Sequence, residues 1–210
     1  MSTNQFVEFA NGGDNRLIHH YDDLLNVEQT NEYEIITINR LKNKKEYEIY
    51  LPECNNLLLS IKRKRSKITV NVNCFGTQQL ELLYIKTNFK KNRFVIYHGV
   101  NIIAKLFTIR KVRAIRQHIL ILYDNKHHLP TTYYNKAPIY DEKNKSFNLN
   151  FATNGTDNII TQESIKNCVF ESQNTREFLK FGKKDKQIFK LCYRNPISLL
   201  QAIGVSMCLF

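Results

Sequence analysis

Pro196-Ile197-Ser198-Leu199-Leu200-Gln201-Ala202-Ile203-Gly204-Val205-Ser206-Met207-Cys208-Leu209 is the stretch on which the fold turns. Proline is tolerated in the first turn of a helix, where its missing N–H would have no partner anyway, so Pro196 opens a helix running from Ile197 to Leu209. Its residues are apolar or small on almost every face, and a helix that is hydrophobic all round must be buried all round. A membrane tail anchor is the rival reading. The stretch falls short of the ~20 apolar residues that span a bilayer, and it carries Ser198, Gln201 and Ser206 inside.

What surrounds that helix is read from the preceding chain. Glu34–Ile38, Tyr47–Leu51, Leu57–Ile61, Ile68–Val72, Leu80–Tyr84, Arg93–Tyr97 and His118–Leu122 are short runs rich in β-branched and aromatic residues, separated by turn-forming Asn, Lys and Gly clusters. Ser146–Phe151 alternates polar and apolar residues, as a half-buried strand should. Many short strands without interleaved long helices point to a barrel or sandwich. Only closure surrounds a helix with strands, so the fold expected is mainly β with a buried helix (α+β), a closed barrel threaded by its C-terminal segment.

Length and composition agree. The 210 residues leave room for one domain of ordinary size, and 42% hydrophobic residues with only seven Gly and four Pro exclude a disordered or collagenous chain. Residues 1–30 form a weakly patterned arm in which Leu17, Ile18, Tyr21, Leu24 and Leu25 share one face of a short helix, packed on the domain or docked on a partner. Residues 31–210 are the main domain. The start has no basic region leading into an apolar run, so no secretory leader is expected. Cys54, Cys74, Cys168, Cys192 and Cys208 are an odd number with no Cys-x-x-Cys pair, which suits free thiols in a cytosolic or nuclear protein. Asn144-Lys145-Ser146 and Asn154-Gly155-Thr156 then match the glycosylation tripeptide only by chance.

The net charge of +12 argues for a polyanionic partner. Lys, Asn and Ile are all overused, a bias that an AT-rich genome would produce unaided, so clustering has to be added to excess. Two clusters meet that demand. Lys62-Arg63-Lys64-Arg65-Ser66-Lys67 lies between two apolar runs, and from Leu82 to Tyr123 nine Lys and Arg residues occur without one acid. The hexamer fits a nucleic-acid or nuclear-import patch, a solvated run without a ligand, or a phosphoinositide site. In the last reading, strand alternation sends Lys62 and Lys64 to one face and Arg63 and Arg65 to the other, and cations ~7 Å apart match an inositol ring with two phosphates.

Phe147-Asn148-Leu149-Asn150-Phe151, Ser164-Ile165-Lys166-Asn167-Cys168, Phe181-Gly182-Lys183 with Phe189, and Tyr193-Arg194-Asn195-Pro196-Ile197-Ser198-Leu199-Leu200-Gln201-Ala202 stand in this order along the chain. Together they resemble the signatures of the tubby C-terminal domain family, in order and at comparable spacing. Ile61 to Lys67 resembles that family's basic strand, and Lys86-Thr87-Asn88 with Arg93–Tyr97 resembles a following segment. The resemblance covers residues 33 to 210. It implies a closed antiparallel barrel of about twelve strands around a hydrophobic C-terminal helix, and binding of phosphatidylinositol 4,5-bisphosphate-type lipids through the basic strand and a neighbouring arginine. Carried over by position, the phosphoinositide-binding residues are Lys62, Arg63, Lys64, Arg65 and Lys86. Lysine at 86 keeps the charge of that arginine but lacks its bidentate fork. The glycine-rich segment of the family is shortened and replaced around Val112–Arg116. The long N-terminal extensions through which animal members reach the intraflagellar-transport A complex, or transcription, have about thirty residues in their place.

No P-loop, dinucleotide glycine pattern, His-Glu-x-x-His or nucleophile elbow occurs. The pairs His19-His20 and His127-His128 point to opposite faces on a strand and chelate poorly. A monomeric non-enzyme is therefore expected, with no catalytic residue, metal or cofactor. It would be recruited from the cytoplasm to phosphoinositide headgroups on the plasma membrane, with ciliary or nuclear residence and a role carrying protein cargo as further expectations. The alternative is a nucleic-acid-binding protein using the same clusters.

Overall fold

The computed structural model describes residues 32–50, 57–73, 79–110, 116–123, 129–143, 145–149, 151, 164 and 166–210. The N-terminal arm, Cys54, Cys74, His127-His128, Val112–Ile115 and the Asn154 tripeptide lie outside them. The elements are β1 (Glu34–Arg40), β2 (Glu46–Tyr50), β3 (Leu57–Arg63), β4 (Lys67–Asn73), β5 (Gln79–Thr87), β6 (Arg93–His98), β7 (Asn101–Arg110), β8 (Arg116–Tyr123), β9 (Pro130–Asn135), β10 (Ile139–Asp141), β11 (Ser146–Asn148), β12 (Cys168–Glu171), β13 (Glu177–Lys183), β14 (Ile188–Tyr193) and α1 (Leu199–Leu209). Twelve of these strands close into an antiparallel barrel in the order β1-β14-β13-β12-β9-β8-β7-β6-β5-β4-β3-β2, and β10 and β11 form a separate two-stranded sheet.

The helix is a consequence of strand number. Barrel diameter grows with the number of strands, and about eight already give a lumen that side chains alone can fill. Twelve leave a wider lumen, and a helix with side chains about 10–12 Å across occupies it. All eleven residues of α1 are buried. Its start is fixed by Ser198, whose Oγ accepts from the Gln201 N–H while the Gln201 Oε1 accepts from the Ser198 N–H, a reciprocal cap. The helix therefore begins at Leu199 instead of the expected Ile197, and Pro196 stands outside it. Gln201 also donates through Nε2 to the Ile103 and Tyr123 carbonyls, at 3.0 Å each, which ties the first turn to β7 and β8. Halfway along, the helix lies so close to the wall that a Cβ on Gly204 would stand 2.7 Å from Ile96 Cγ2. At the far end Phe210 packs edge-on against Phe181 and Phe189.

Alternation then sorts most of the barrel strands. Ile36 and Ile38, Leu59 and Ile61, Ile68 and Val70, Phe94 and Ile96, and Leu120 and Leu122 point inward and are buried. The wall is not bare everywhere. On β13, Lys180 has no exposure at all: its Nζ lies 3.1 Å from Glu177 Oε2 and 3.3 Å from the Phe151 carbonyl, under the Tyr33 ring. The seven β-runs read from the sequence fall on barrel strands β1 to β6 and β8, with Leu51 outside the described residues. Ser146–Phe151 does not: only Ser146–Asn148 is a strand, paired with β10 outside the barrel. Alternation reports one covered face without saying which layer covers it.

Candidate functional site

Pairing across β3, β4 and β5 puts the basic hexamer in register with Lys86. The two-residue turn Arg65-Ser66 folds β3 back on β4, with the Lys64 N–H donating to the Lys67 carbonyl at 2.8 Å. Lys67 is in turn the direct partner of Lys86 on β5. Lys64, Lys67 and Lys86 therefore form a row, one per neighbouring strand position and about 4.8 Å apart along the hydrogen-bonding direction. Lys62 lies on the same outer face of β3, and both it and Lys86 are exposed, whereas the flanking Ile61 and Ile85 are buried.

Like charges directly opposite one another destabilise a sheet, so this row needs local support. Lys67 has it from Glu81, at 3.1 Å. Beneath Lys86 the Tyr84 and Tyr97 rings stack with centroids 4.5 Å apart, and the Lys86 Nζ lies 5.6 and 5.3 Å from the two centroids, with Lys67 5.0 Å from that of Tyr84. Aromatic faces hold ammonium groups by their quadrupole without consuming their hydrogen-bond donors. The two rings leave the N–H donors of the Lys86 Nζ unused.

The turns at this edge carry further charge. The Thr87 N–H donates to the Ser66 carbonyl at 3.1 Å, which sets the β3–β4 turn beside the β5–β6 turn. There Arg65 reaches over the Phe89 ring at 5.9 Å. Phe89 is 88% exposed and is followed by the exposed Lys90 and Lys91. Lys91 holds φ +51°, a left-handed conformation that costs a lysine more than a glycine or asparagine.

Among the five residues singled out in the sequence, the structure brings Lys62, Lys64 and Lys86 to one face and puts Arg65 at the tip of its turn. Arg63 goes elsewhere: it shares the inward parity of Leu59 and Ile61 and is half-buried at the end of the lumen. Lys67, Tyr84, Tyr97 and Phe89 belong to the site but were not singled out. Lys67 could have been found, because a two-residue turn at 65–66 pairs 64 with 67. His118 is not a ligand candidate: it is buried inside the barrel with Nδ1 2.9 Å from Thr108 Oγ1, and burial with the nearby Arg116 lowers its pKa to about 4.

The model of the Tub family matches residues 95–210, more than half of the chain. The chain belongs to the Tub family. Among curated Tub-family relatives, Tubby protein homolog 1 of Caenorhabditis briggsae is 32% identical over 78 residues, and Tubby-related protein 3 of Homo sapiens is 30% identical over 79. Protein king tubby of Drosophila yakuba is 28% identical over 79 residues. These matches take in 36% to 37% of this chain and 17% of each relative's length. The matched part of this Tub-family barrel runs from within β6 to α1 and leaves out Lys62 to Arg65, Lys67 and Lys86, so the lysine row rests on its own geometry.

Proposed function

We propose that this Tub-family chain is a phosphoinositide-binding module that docks reversibly on a cytoplasmic membrane leaflet through Lys62, Lys64, Lys67 and Lys86. The observation that carries the reading is the row itself: lysines on adjacent strand positions, facing outward, with Glu81 paired to Lys67 and Glu46 opposite Lys62. Neighbouring ammonium groups at strand spacing suit two phosphates on one ring, and each well-placed cation contributes on the order of 1 kcal/mol at an anionic surface. Phe89, held up between Arg65 and Lys90, suits the boundary between headgroups and acyl chains. Among the described residues no helix is long and apolar enough to cross a membrane, so attachment through this face would be peripheral.

The test is sedimentation with vesicles containing phosphatidylinositol bisphosphate. Lys64→Glu with Lys86→Glu is expected to weaken binding by at least about a hundredfold, since four units of charge change at ~1 kcal/mol each, while the far-ultraviolet circular dichroism stays that of the barrel. Unchanged binding in a folded double variant would overturn the assignment. Nucleic acid is the competing polyanion. A steep salt slope on duplex DNA, together with indifference to the lipid, would favour it, but the one described helix is buried and cannot enter a groove.

A further inference from the structure

We propose that the mouth of the barrel around Phe210 is a second anion site, distinct from the outward lysine row, built to take a small polyphosphorylated ligand of the inositol-phosphate class. The argument starts from parity. Arg40 continues the inward series Ile36, Ile38 on β1; Arg63 continues Leu59, Ile61 on β3; Arg116 precedes His118 and Leu120 on β8; Lys183 follows Leu179 and Phe181 on β13. Each is the last inward position of its strand at the same end of the barrel. Lys166, two residues ahead of β12, joins them, with its Nζ 5.0 Å from the Phe210 ring centroid and 5.6 Å from that of Phe189. Arg40 lies 5.5 Å from the Phe189 centroid. All five are half-buried, whereas Lys62, Lys64, Arg65 and Lys86 are exposed.

The other inward strand ends here with described side chains, Tyr47 on β2, Thr87 on β5, Asn135 on β9 and Cys168 on β12 among them, are neutral. Among the described residues no acid forms an ion pair with any of the five cations. The Nε of Arg40 is fully buried with no hydrogen-bond acceptor.

A purely structural role is too small to account for this. Cations stabilise a helix C-terminus, and α1 ends here, but a helix end presents only about half a negative charge. Adding one full charge for a carboxylate at residue 210 still leaves more than three positive charges in excess. Their mutual repulsion is visible at Lys166, whose pKa is lowered to about 8, first by burial and then by Arg40, Arg63, Arg116 and Lys183. An anion with several phosphates would meet guanidinium forks and ammonium groups at once. The aromatic floor of Phe189 and Phe210 limits how deep it sits.

The experiment titrates the full chain with inositol trisphosphate while following the lysine side-chain carbons by NMR. Binding is expected to raise the Lys166 pKa from about 8 toward the ordinary lysine range. Arg40→Gln with Lys166→Gln should weaken that binding by at least about tenfold, while Lys64→Gln with Lys86→Gln should leave it within about twofold. Lys166→Met keeps the packing on both rings if the double variant does not fold, and it should lower affinity in the same direction. Vesicles bearing phosphatidylinositol bisphosphate distinguish the source of the phosphates: loss of vesicle binding in the mouth variants assigns the site to a lipid headgroup, and loss for the free trisphosphate alone assigns it to a soluble anion. No binding of inositol trisphosphate, or binding abolished only by the lysine-row variants, would overturn the proposal without touching the vesicle result for the row.

Discussion

Gln201 has every polar atom of its side chain engaged inside the barrel: Nε2 donates to the Ile103 and Tyr123 carbonyls, and Oε1 accepts from the Ser198 N–H. Gln201→Leu keeps the volume and strands two buried backbone groups, the Ser198 N–H and the Ile103 carbonyl, and the half-buried Tyr123 carbonyl. Each buried orphan costs about 1–3 kcal/mol, so the expected loss is at least ~2 kcal/mol, measured as a fall in the urea midpoint at unchanged slope. His118 gives a pH test. Its folded pKa near 4 lies below the ordinary 6.5, so the unfolded chain binds more protons than the folded one between those values, and stability falls as pH drops through 6.5 toward 4. From pH 7 to 5 the contribution of this one group is a loss of about 2 kcal/mol, and His118→Gln should remove it from the denaturation profile. At this scale the sequence showed Lys62 and Lys64 as candidates because runs of charge are visible in one dimension, whereas Lys86 came only through the family resemblance. The sequence could not place Arg63, because inward and outward positions of a strand carry the same letters until the register with Leu59 and Ile61 is known.

Helix α1 is positioned by contact as much as by its cap. Alanine in place of glycine favours a helix by about 1 kcal/mol, yet Gly204→Ala sets a methyl carbon against Ile96 on β6. Overpacking of a filled core costs about 1–3 kcal/mol, so the variant is expected to melt at a lower temperature, and Gly204→Ala with Ile96→Val should recover part of the loss. The helix was legible because a stretch apolar on all faces has few places to go. Strands β1 to β6 and β8 were legible because their Val, Ile and aromatic runs alternate between core and solvent. β9 was not, since Pro130-Thr131-Thr132 faces solvent and offers no apolar signal. β13 was not either: six of its seven residues are buried, Lys180 among them, and a strand covered on both faces has no period of two.

The whole molecule carries its charge unevenly. Exposed Lys64, Arg65, Lys86, Lys90 and Lys91 and the half-buried cations of the mouth gather at one end of the barrel, and on the proposed reading that end is where the +12 total would meet a polyanion. Exposed charges are screened beyond about 8 Å at physiological ionic strength, so raising salt from ~0.1 M to ~0.5 M should weaken vesicle binding by more than about tenfold, measured by sedimentation. The closed topology has a different consequence. Strand β1 pairs with β14, and α1 follows every strand in sequence yet occupies the centre of the fold. No N-terminal portion of this chain is a smaller version of the finished barrel. During synthesis at about 5–20 residues per second, the strands emerge seconds before the helix that fills them, and their apolar inner faces must wait as an unclosed sheet.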